Sequence, residues 1–298
     1  MKRIAVVVVT YNRINLLQEC IKSIRLQTYQ DYSIIVVNNG STDGTLEWLN
    51  RQKDVTIITQ KNLGGAGGFY TGLKFATEQG YDYCWIMDDD VICESTALEE
   101  LIKAYHVQNN IGFICSRVIG INGESMNTPA PDMRPEDNGY ANFLDKVVNY
   151  AMVKIRTATF VSVLLSTNRI IELGLPLREF FIWGDDVEYT ERISSLYPSY
   201  VACRSIVIHK RYLQKALIFD EETDLHRLNN YFYAFRNHAY TDLKNHNIKG
   251  FMHVLIKQFF RLIKFICLLK FRHAIIICKA YFSLPFFHAK IEYPSKKM

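Results

Sequence analysis

The chain has 298 residues, 49% hydrophobic and 22% charged, enough to bury a full-sized core as one large domain or two smaller ones. Its net charge of +5 is divided unevenly: residues 1–242 hold 24 Lys+Arg against 29 Asp+Glu, and the remainder holds 11 Lys+Arg against one acid, Glu292. Seven scattered cysteines without a C-x-x-C pair exclude an obvious disulfide framework or zinc site and fit buried, reduced thiols in a cytosolic setting. No stretch reaches the ~18 uncharged apolar residues of a membrane-spanning helix.

The opening MKRIAVVVVTYNR reads as a buried first strand over 3–10 rather than a signal peptide. Asn12 is placed to cap a helix over about 14–26, with apolar residues at 14, 17, 21 and 24. Strands follow over 33–38 and 55–60, separated by the turn Gly40-Ser41-Thr42-Asp43-Gly44 and a helix ending near Arg51. The run Gly64-Gly65-Ala66-Gly67-Gly68 opens a helix to about Gln79, and a fourth strand, Tyr83–Met87, ends directly at Asp88-Asp89-Asp90. Strands alternating with helices predict a parallel, doubly wound sheet, in which ligands bind beyond the carboxyl ends of the strands. The loops 10–13, 38–43, 61–68 and 88–90 all follow such ends and are expected to converge. Residues 120–145, with Pro129, Pro131 and Pro135, read as a long excursion, and strand-like pattern returns at 155–165 and at 200–208, ending on His209. From about Leu225 the pattern is helical.

Three clusters carry chemistry. Alternate residues of an extended segment point the same way, so Asp88 and Asp90 can present carboxylates to one cation of the Mg²⁺ or Mn²⁺ kind. An acidic surface turn is the plainer reading, but three crowded charges need cationic compensation. The second cluster, Trp183-Gly184-Asp185-Asp186-Val187-Glu188, offers a carboxylate base for an attacking hydroxyl, or simply acids favoured at a helix start. The glycine-rich run lacks the Lys-Ser/Thr of a P-loop, so it either approaches a phosphate or allows close packing. His209, on spacing alone, is either a hydrogen bonder or a metal ligand.

In sequence order, Val6–Arg13, Ile35–Thr45, Asn62–Gly68 and Asp88–Asp90 resemble the inverting family 2 glycosyltransferases of the GT-A fold, an α/β Rossmann-like architecture. Within them, the Trp-Gly-Asp-Asp-Val-Glu stretch and the downstream histidine are similar to bacterial galactofuranosyltransferases and rhamnosyltransferases. The resemblance implies metal binding by Asp88, Asp90 and His209, with Mn²⁺ or Mg²⁺ as cofactor, and Asp186 as catalytic base. It implies a donor pocket of Thr10, Arg13, Asn38, Asn39, Asn62, Gly65 and Asp89, and acceptor contacts from Trp183, Asp185 and Glu188. The implied donor is UDP-galactofuranose, with dTDP-rhamnose as the alternative and a non-catalytic nucleotide-sugar-binding protein as the second. Two positions depart from the pattern: Asn38 stands where the family usually has Asp, and Gly184 separates Trp183 from the paired aspartates.

The basic tail holds Lys257, Arg261 and Lys264 on one helical face amid bulky apolar residues. Such a helix suits an anionic membrane surface, whereas a cap on the catalytic domain or a contact between copies of the chain is the plainer use. Nucleic acid is not the expected partner, because no recognition module accompanies the charge. The expected organisation is a catalytic domain over 1–215 and a helical, membrane-associating region over 216–298. Its expected place is the cytoplasmic face of the bacterial plasma membrane, acting on a lipid-linked glycan.

Overall fold

A computed structural model describes residues 3–134, 139–211 and 218–295. In chain order the elements are β1 (Ile4–Thr10), α1 (Ile14–Arg25), β2 (Tyr32–Asn38), α2 (Thr45–Leu49), β3 (Val55–Thr59), α3 (Gly64–Glu78), β4 (Tyr83–Asp88), β5 (Val91–Cys93) and α4 (Ala97–Tyr105). There follow β6 (Phe113–Ile119), β7 (Ala130–Pro131), α5 (Gly139–Tyr150), β8 (Met152–Thr157), β9 (Val163–Ser166), α6 (Thr167–Leu173), α7 (Asp185–Ser194) and β10 (Ser199–His209). Three long helices close the chain: α8 (Leu225–Lys244), α9 (Ile248–Cys267) and α10 (Phe271–Ser283).

One sheet runs β3-β2-β1-β4-β9-β6-β10-β8-β7, with β5 paired to β10. Its first four strands are parallel, as expected. The rest is mixed, which corrects the all-parallel expectation: β9 enters antiparallel between β4 and β6, and β8 runs antiparallel to β10. The apolar stretch 155–165 is thus not one strand. It splits into β8 and β9, which lie on opposite sides of β6 and β10 in the sheet.

Alternation along β1 feeds two cores. Ile4, Val6 and Val8 pack with Leu17, Ile21 and Ile24 of α1, while Ala5, Val7 and Val9 pack with Phe69, Leu73 and Ala76 of α3. Burial on both faces explains why β1 reads as a continuous apolar run. The α3 side is unusually close. A methyl group on Gly68 would lie 2.3 Å from Val9 Cγ1, and one on Gly72 would lie 2.3 Å from Val7 Cγ1. Glycine there lets the helix lie down on the sheet.

The helix α1 is not capped by Asn12. The Asn12 side chain accepts from Thr42 N at 2.7 Å, and Ile14 N donates to Asp43 Oδ2 at 3.0 Å. The turn after β2 therefore supplies the cap across space, and Asn12 ties that turn down.

The boundary expected at 215–216 lies outside the described residues. The C-terminal segment returns to the sheet half: Leu175 N donates to Glu292 O at 2.8 Å, Arg178 pairs with Glu292 at 2.7 Å, and Ser295 N donates to Glu78 Oε1 at 3.1 Å. The helices α8 and α10 pack around Phe219, Tyr231, Phe265, Ile276 and Ile277 as a core of their own.

Candidate active site

The four loops beyond β1–β4 are joined by hydrogen bonds. Asn39 N donates to Thr10 O at 2.9 Å, and Asn39 Nδ2 donates to Gly64 O at 2.7 Å. Gln60 Nε2 donates to Asn39 Oδ1 at 2.6 Å, so both ends of the Asn39 amide are occupied within the protein. Asn62 Oδ1 accepts from Gly64 N at 2.9 Å and closes the turn into α3. Asn39 is thus tied up within these loops, and Asn62 commits its side-chain oxygen to the turn into α3. Asn38 differs: its Oδ1 accepts from Ser41 N at 3.0 Å, while its buried Nδ2 has no partner. Gly65 has nothing within 4 Å of where a side chain would begin. Among the glycines of this run it alone keeps the ligand-approach option, whereas Gly64, Gly67 and Gly68 serve close packing.

The three aspartates divide as their alternation predicts. Asp89 turns toward β1, accepting from Thr10 Oγ1 at 2.7 Å and from Arg13 Nη1 at 3.3 Å. Asp88 and Asp90 face His209, and one ligand atom from each of the three lies within 4.8 Å of the others. The register brings the histidine there. After Asp90 the chain enters β5, whose Val91 is paired with His209 of β10, and Lys210 N donates to Asp90 O at 2.8 Å. His209 Nε2 stands 3.1 Å from Asp90 Oδ1, yet that buried oxygen makes no aligned hydrogen bond. Nδ1 of the ring is within 2.9 Å of Asn127 Oδ1, which orients the imidazole with Nε2 toward the carboxylates. Two carboxylates and one imidazole gathered this closely fit a divalent cation of the Mn²⁺ or Mg²⁺ class.

The electrostatics fit as well. Burial, then the charge of Asp90, pushes Asp88 up to about 8. Burial raises Asp89 to about 6, against the pull of Arg13. Asp90 is also buried, but His209 and Arg13, whose Nη1 lies 2.9 Å from Asp90 Oδ2, hold it below its ordinary value. Burial works against the charged imidazole of His209, and Asp90 and Asp88 more than offset it. Arg13 and His209 are the cations that pull directly on these carboxylates among the described residues.

Asp185 and Asp186 open α7. Burial, then its neighbour Asp186, drives Asp185 well above the carboxylate range. Burial raises Asp186 too, opposed by the N–H of Val187 and by the positive potential of His238 on α8. The segment ahead of this helix abuts the glycine-rich loop: Ala66 N donates to Phe181 O at 3.1 Å, and a methyl group on Gly64 would collide with that carbonyl at 1.9 Å. The segment leading into α7 and the glycine-rich loop are therefore in direct contact. Trp183 is half-buried, its ring edge-on to Tyr231 at 5.1 Å.

Glu188, expected on the acceptor side, is paired within the protein. It is buried, and its oxygens pair with Arg192 at 2.9 Å and Lys244 of α8 at 2.8 Å. Its position one helical turn into α7 turns it toward the helical region. Asn127 and His238 were not legible in the sequence. Asn127 lies in the long polar excursion, and His238 is one polar residue among many on α8.

The sheet order, the crevice at the carboxyl ends of its parallel strands and the acidic cluster there define a nucleotide-sugar-transferase type of fold. The sequence matches the family model "Glycosyl transferase family 2" over residues 5–163, more than half of the chain, and the chain belongs to that family, with the GT-A type of fold. It is 26% identical over 196 residues to galactofuranosyltransferase GlfT1 of Mycobacterium tuberculosis, covering 63% of each chain. It is 28% identical over 159 residues to poly(ribitol-phosphate) beta-N-acetylglucosaminyltransferase TarP of Staphylococcus aureus, covering 51% of this chain and 47% of TarP. The crystal structure of S. aureus TarS superposes with a TM-score of 0.54 at 16% identity, over 80% of this chain and 39% of TarS. The chain thus spans less than two thirds of the length of each of these relatives.

Proposed function

We propose that the protein is a metal-dependent, inverting glycosyltransferase that moves a sugar from a nucleotide diphosphate donor to a hydroxyl of a lipid-linked cell-surface polysaccharide. The observation that carries this is the convergence of Asp88, Asp90 and His209, whose ligand atoms lie within 4.8 Å of one another. Asp88, Asp90 and His209 would hold Mn²⁺ or Mg²⁺, which supplies charge neutralisation of the leaving diphosphate. Arg13 adds a fixed cation beside it, and Asp89 anchors that guanidinium. The open face of Gly65 is the donor-side surface left free for a ligand, and the buried Asn38 Nδ2 beneath the loop has no partner. Asp186 takes the proton of the acceptor hydroxyl as it attacks, because burial makes its carboxylate a better proton acceptor than an exposed one. Trp183 and Asp185 stand beside it as the acceptor-side groups.

The best candidate donor is UDP-galactofuranose, supported by the similarity to GlfT1 and by the paired aspartates at the start of α7. The helical region, taken as 216–298, brings the site to the cytoplasmic face of the membrane. Support for this comes from α9. One face packs on the protein through Gln258 and Phe265. A second, outward stripe leaves Ile248, Met252, Ile256, Phe259, Phe260, Ile263 and Ile266 exposed, beside Lys257 and Lys264. A plain cap would have no use for that second apolar face. Among the described residues no helix is long and apolar enough to cross a membrane.

The test is a donor screen with Mn²⁺ or Mg²⁺, read by nucleotide release and product mass spectrometry. Turnover of UDP-galactofuranose is expected. Turnover of dTDP-rhamnose alone would replace the furanose reading, and no turnover of any donor with intact metal binding would favour a binding protein.

A further inference from the structure

We infer that Asn237, on α8, is a positioning residue for the proposed base Asp186, holding the turn that presents it; this rests on the reading of Asp186 as base.

The turn is an unusual piece of backbone. Phe181, Trp183 and Gly184 all have φ in the left-handed region, at 64°, 61° and 93°. Only Gly184 is suited to that region by its own chemistry, so the two aromatic residues must be held there by their surroundings. Asn237 does the holding. It is fully buried, and its Nδ2 reaches three successive parts of the turn: Phe180 O at 2.9 Å, Ile182 O at 3.2 Å and Trp183 O at 2.7 Å. Its Oδ1 accepts from Arg236 Nε at 3.1 Å and Nη2 at 2.9 Å. That pairing fixes the amide, because a guanidinium has only donors and must face the oxygen, leaving both amide hydrogens for the carbonyls. Arg236 extends the clamp, donating to Glu179 O at 3.1 Å and stacking on the Phe287 ring at 3.7 Å.

The turn is also tied on its other side. Phe181 O receives Ala66 N at 3.1 Å, which ties the same residues to the glycine-rich donor loop. Asp186 follows Trp183 by three residues, so a shift of the turn moves its carboxylate against the donor while leaving Asp88, Asp90 and His209 where β4 and β10 hold them. The clamp is thus a route by which the helical region sets the geometry of the sheet half. Asn237 touches neither metal ligands nor reacting atoms and acts through the turn.

The experiment uses the full chain. Asn237→Asp keeps the shape but replaces the donor by an acceptor facing three carbonyls. With UDP-galactofuranose and dTDP-rhamnose both supplied, its kcat is expected to fall about a hundredfold, the order of loss that a misplacement of ~1 Å brings. Affinity for Mn²⁺ with UDP, measured by calorimetry, is expected to stay at the wild-type value. Trp183 reports the turn directly: its emission should shift to the red in the variant, and the shift should vanish in a Trp183→Phe background. Wild-type kcat and emission overturn the inference. So does a parallel loss of Mn²⁺–UDP affinity, which is what a general folding role gives. If Asn237→Asp does not fold, Arg236→Lys decides: a smaller loss of kcat with the same red shift supports the clamp, and wild-type values overturn it. Asp186→Asn runs alongside. If that variant retains full transfer, the base reading fails, whereas the emission result still tests whether Asn237 holds the turn.

Discussion

The sheet half and the closing helices handle their apolar residues in opposite ways. In the sheet half β1 is buried on both faces, between α1 and α3, and the surface left at the strand ends is acidic and polar. In the helical half α9 buries one face and leaves another apolar stripe outward, among cations. The first is a protein folding around itself to position charge. The second leaves an apolar face exposed, which on the proposed reading meets a membrane. On the proposed reading the difference also locates specificity: the charges that would grip a small polar donor stand just after β1, at and just after the end of β4 and at the end of β10, while the turn that presents Asp186 is held from α8.

The comparison breaks most sharply at Asp186, the only proposed chemical step that lies at the junction of the halves. Asp186→Asn is expected to lower transfer by about 10²–10⁴, the range for losing a general base. Binding of Mn²⁺ with UDP, measured by calorimetry, should persist. Transfer near wild-type rate in that variant would remove Asp186 from the reaction.

The outward stripe comes next. Truncating the chain near Gly250 would expose Phe219 and Tyr231, which pack with Phe265, so point changes are the cleaner test. Phe259→Glu with Ile263→Glu removes two large apolar groups, each worth about 1.5–3 kcal/mol when buried. Binding to anionic liposomes should drop about a hundredfold or more with the fold intact by circular dichroism. Liposome binding at the wild-type level, with a change in molecular mass in solution instead, would turn the stripe into a contact between copies.

Within the sheet half, Asn127→Ala frees the imidazole of His209. Mn²⁺ affinity is expected to fall about 10–100-fold, as for other groups that orient metal ligands. An unchanged affinity would mean that His209 needs no such support, or binds no ion.

Acidity gives a smaller, graded effect. Asp88 in the metal-free protein sits at about 8, raised by burial and Asp90, and the metal requires its ionised form. Below that value a proton competes with the ion, so Mn²⁺ affinity should rise with pH toward 8, by up to about tenfold per unit, then level off. Calorimetry at pH 6, 7 and 8 with proton-release measurement checks the sign. A flat profile would mean that Asp88 is not a ligand.

The smallest effect is structural. Gly72→Ala forces a methyl group to 2.3 Å from Val7 Cγ1 and should cost about 1–3 kcal/mol in denaturant unfolding. A variant as stable as the wild type would show that α3 can lift from β1 without penalty.

Much of the sheet half is legible in the sequence because its signals are local. A Val-rich run doubly buried, a polar loop after each strand, and Asp88 and Asp90 alternating about Asp89 are consequences of strand geometry over a few residues. The family motifs lie in the same stretch, 5–163. What the sequence leaves open depends on partners far away in the chain. The capping of α1 by Asp43 instead of Asn12 needs the turn after β2 to fold back. The splitting of 155–165 into β8 and β9 follows from sheet order, which alternation within a strand does not encode. His209 joins Asp90 only because β5 pairs with β10, and Asn127 orients it from a stretch that carries no motif. Glu188 reads like its neighbours Asp185 and Asp186, yet Lys244, 56 residues on, claims it for the helical half. The chain by itself determined its first four strands, its acidic cluster and its family, because backbone periodicity and short motifs act within a few residues. Tertiary structure alone decided which of those acids face one another and which are paired away, because hydrogen bonds and ion pairs depend on distance in space and not along the chain.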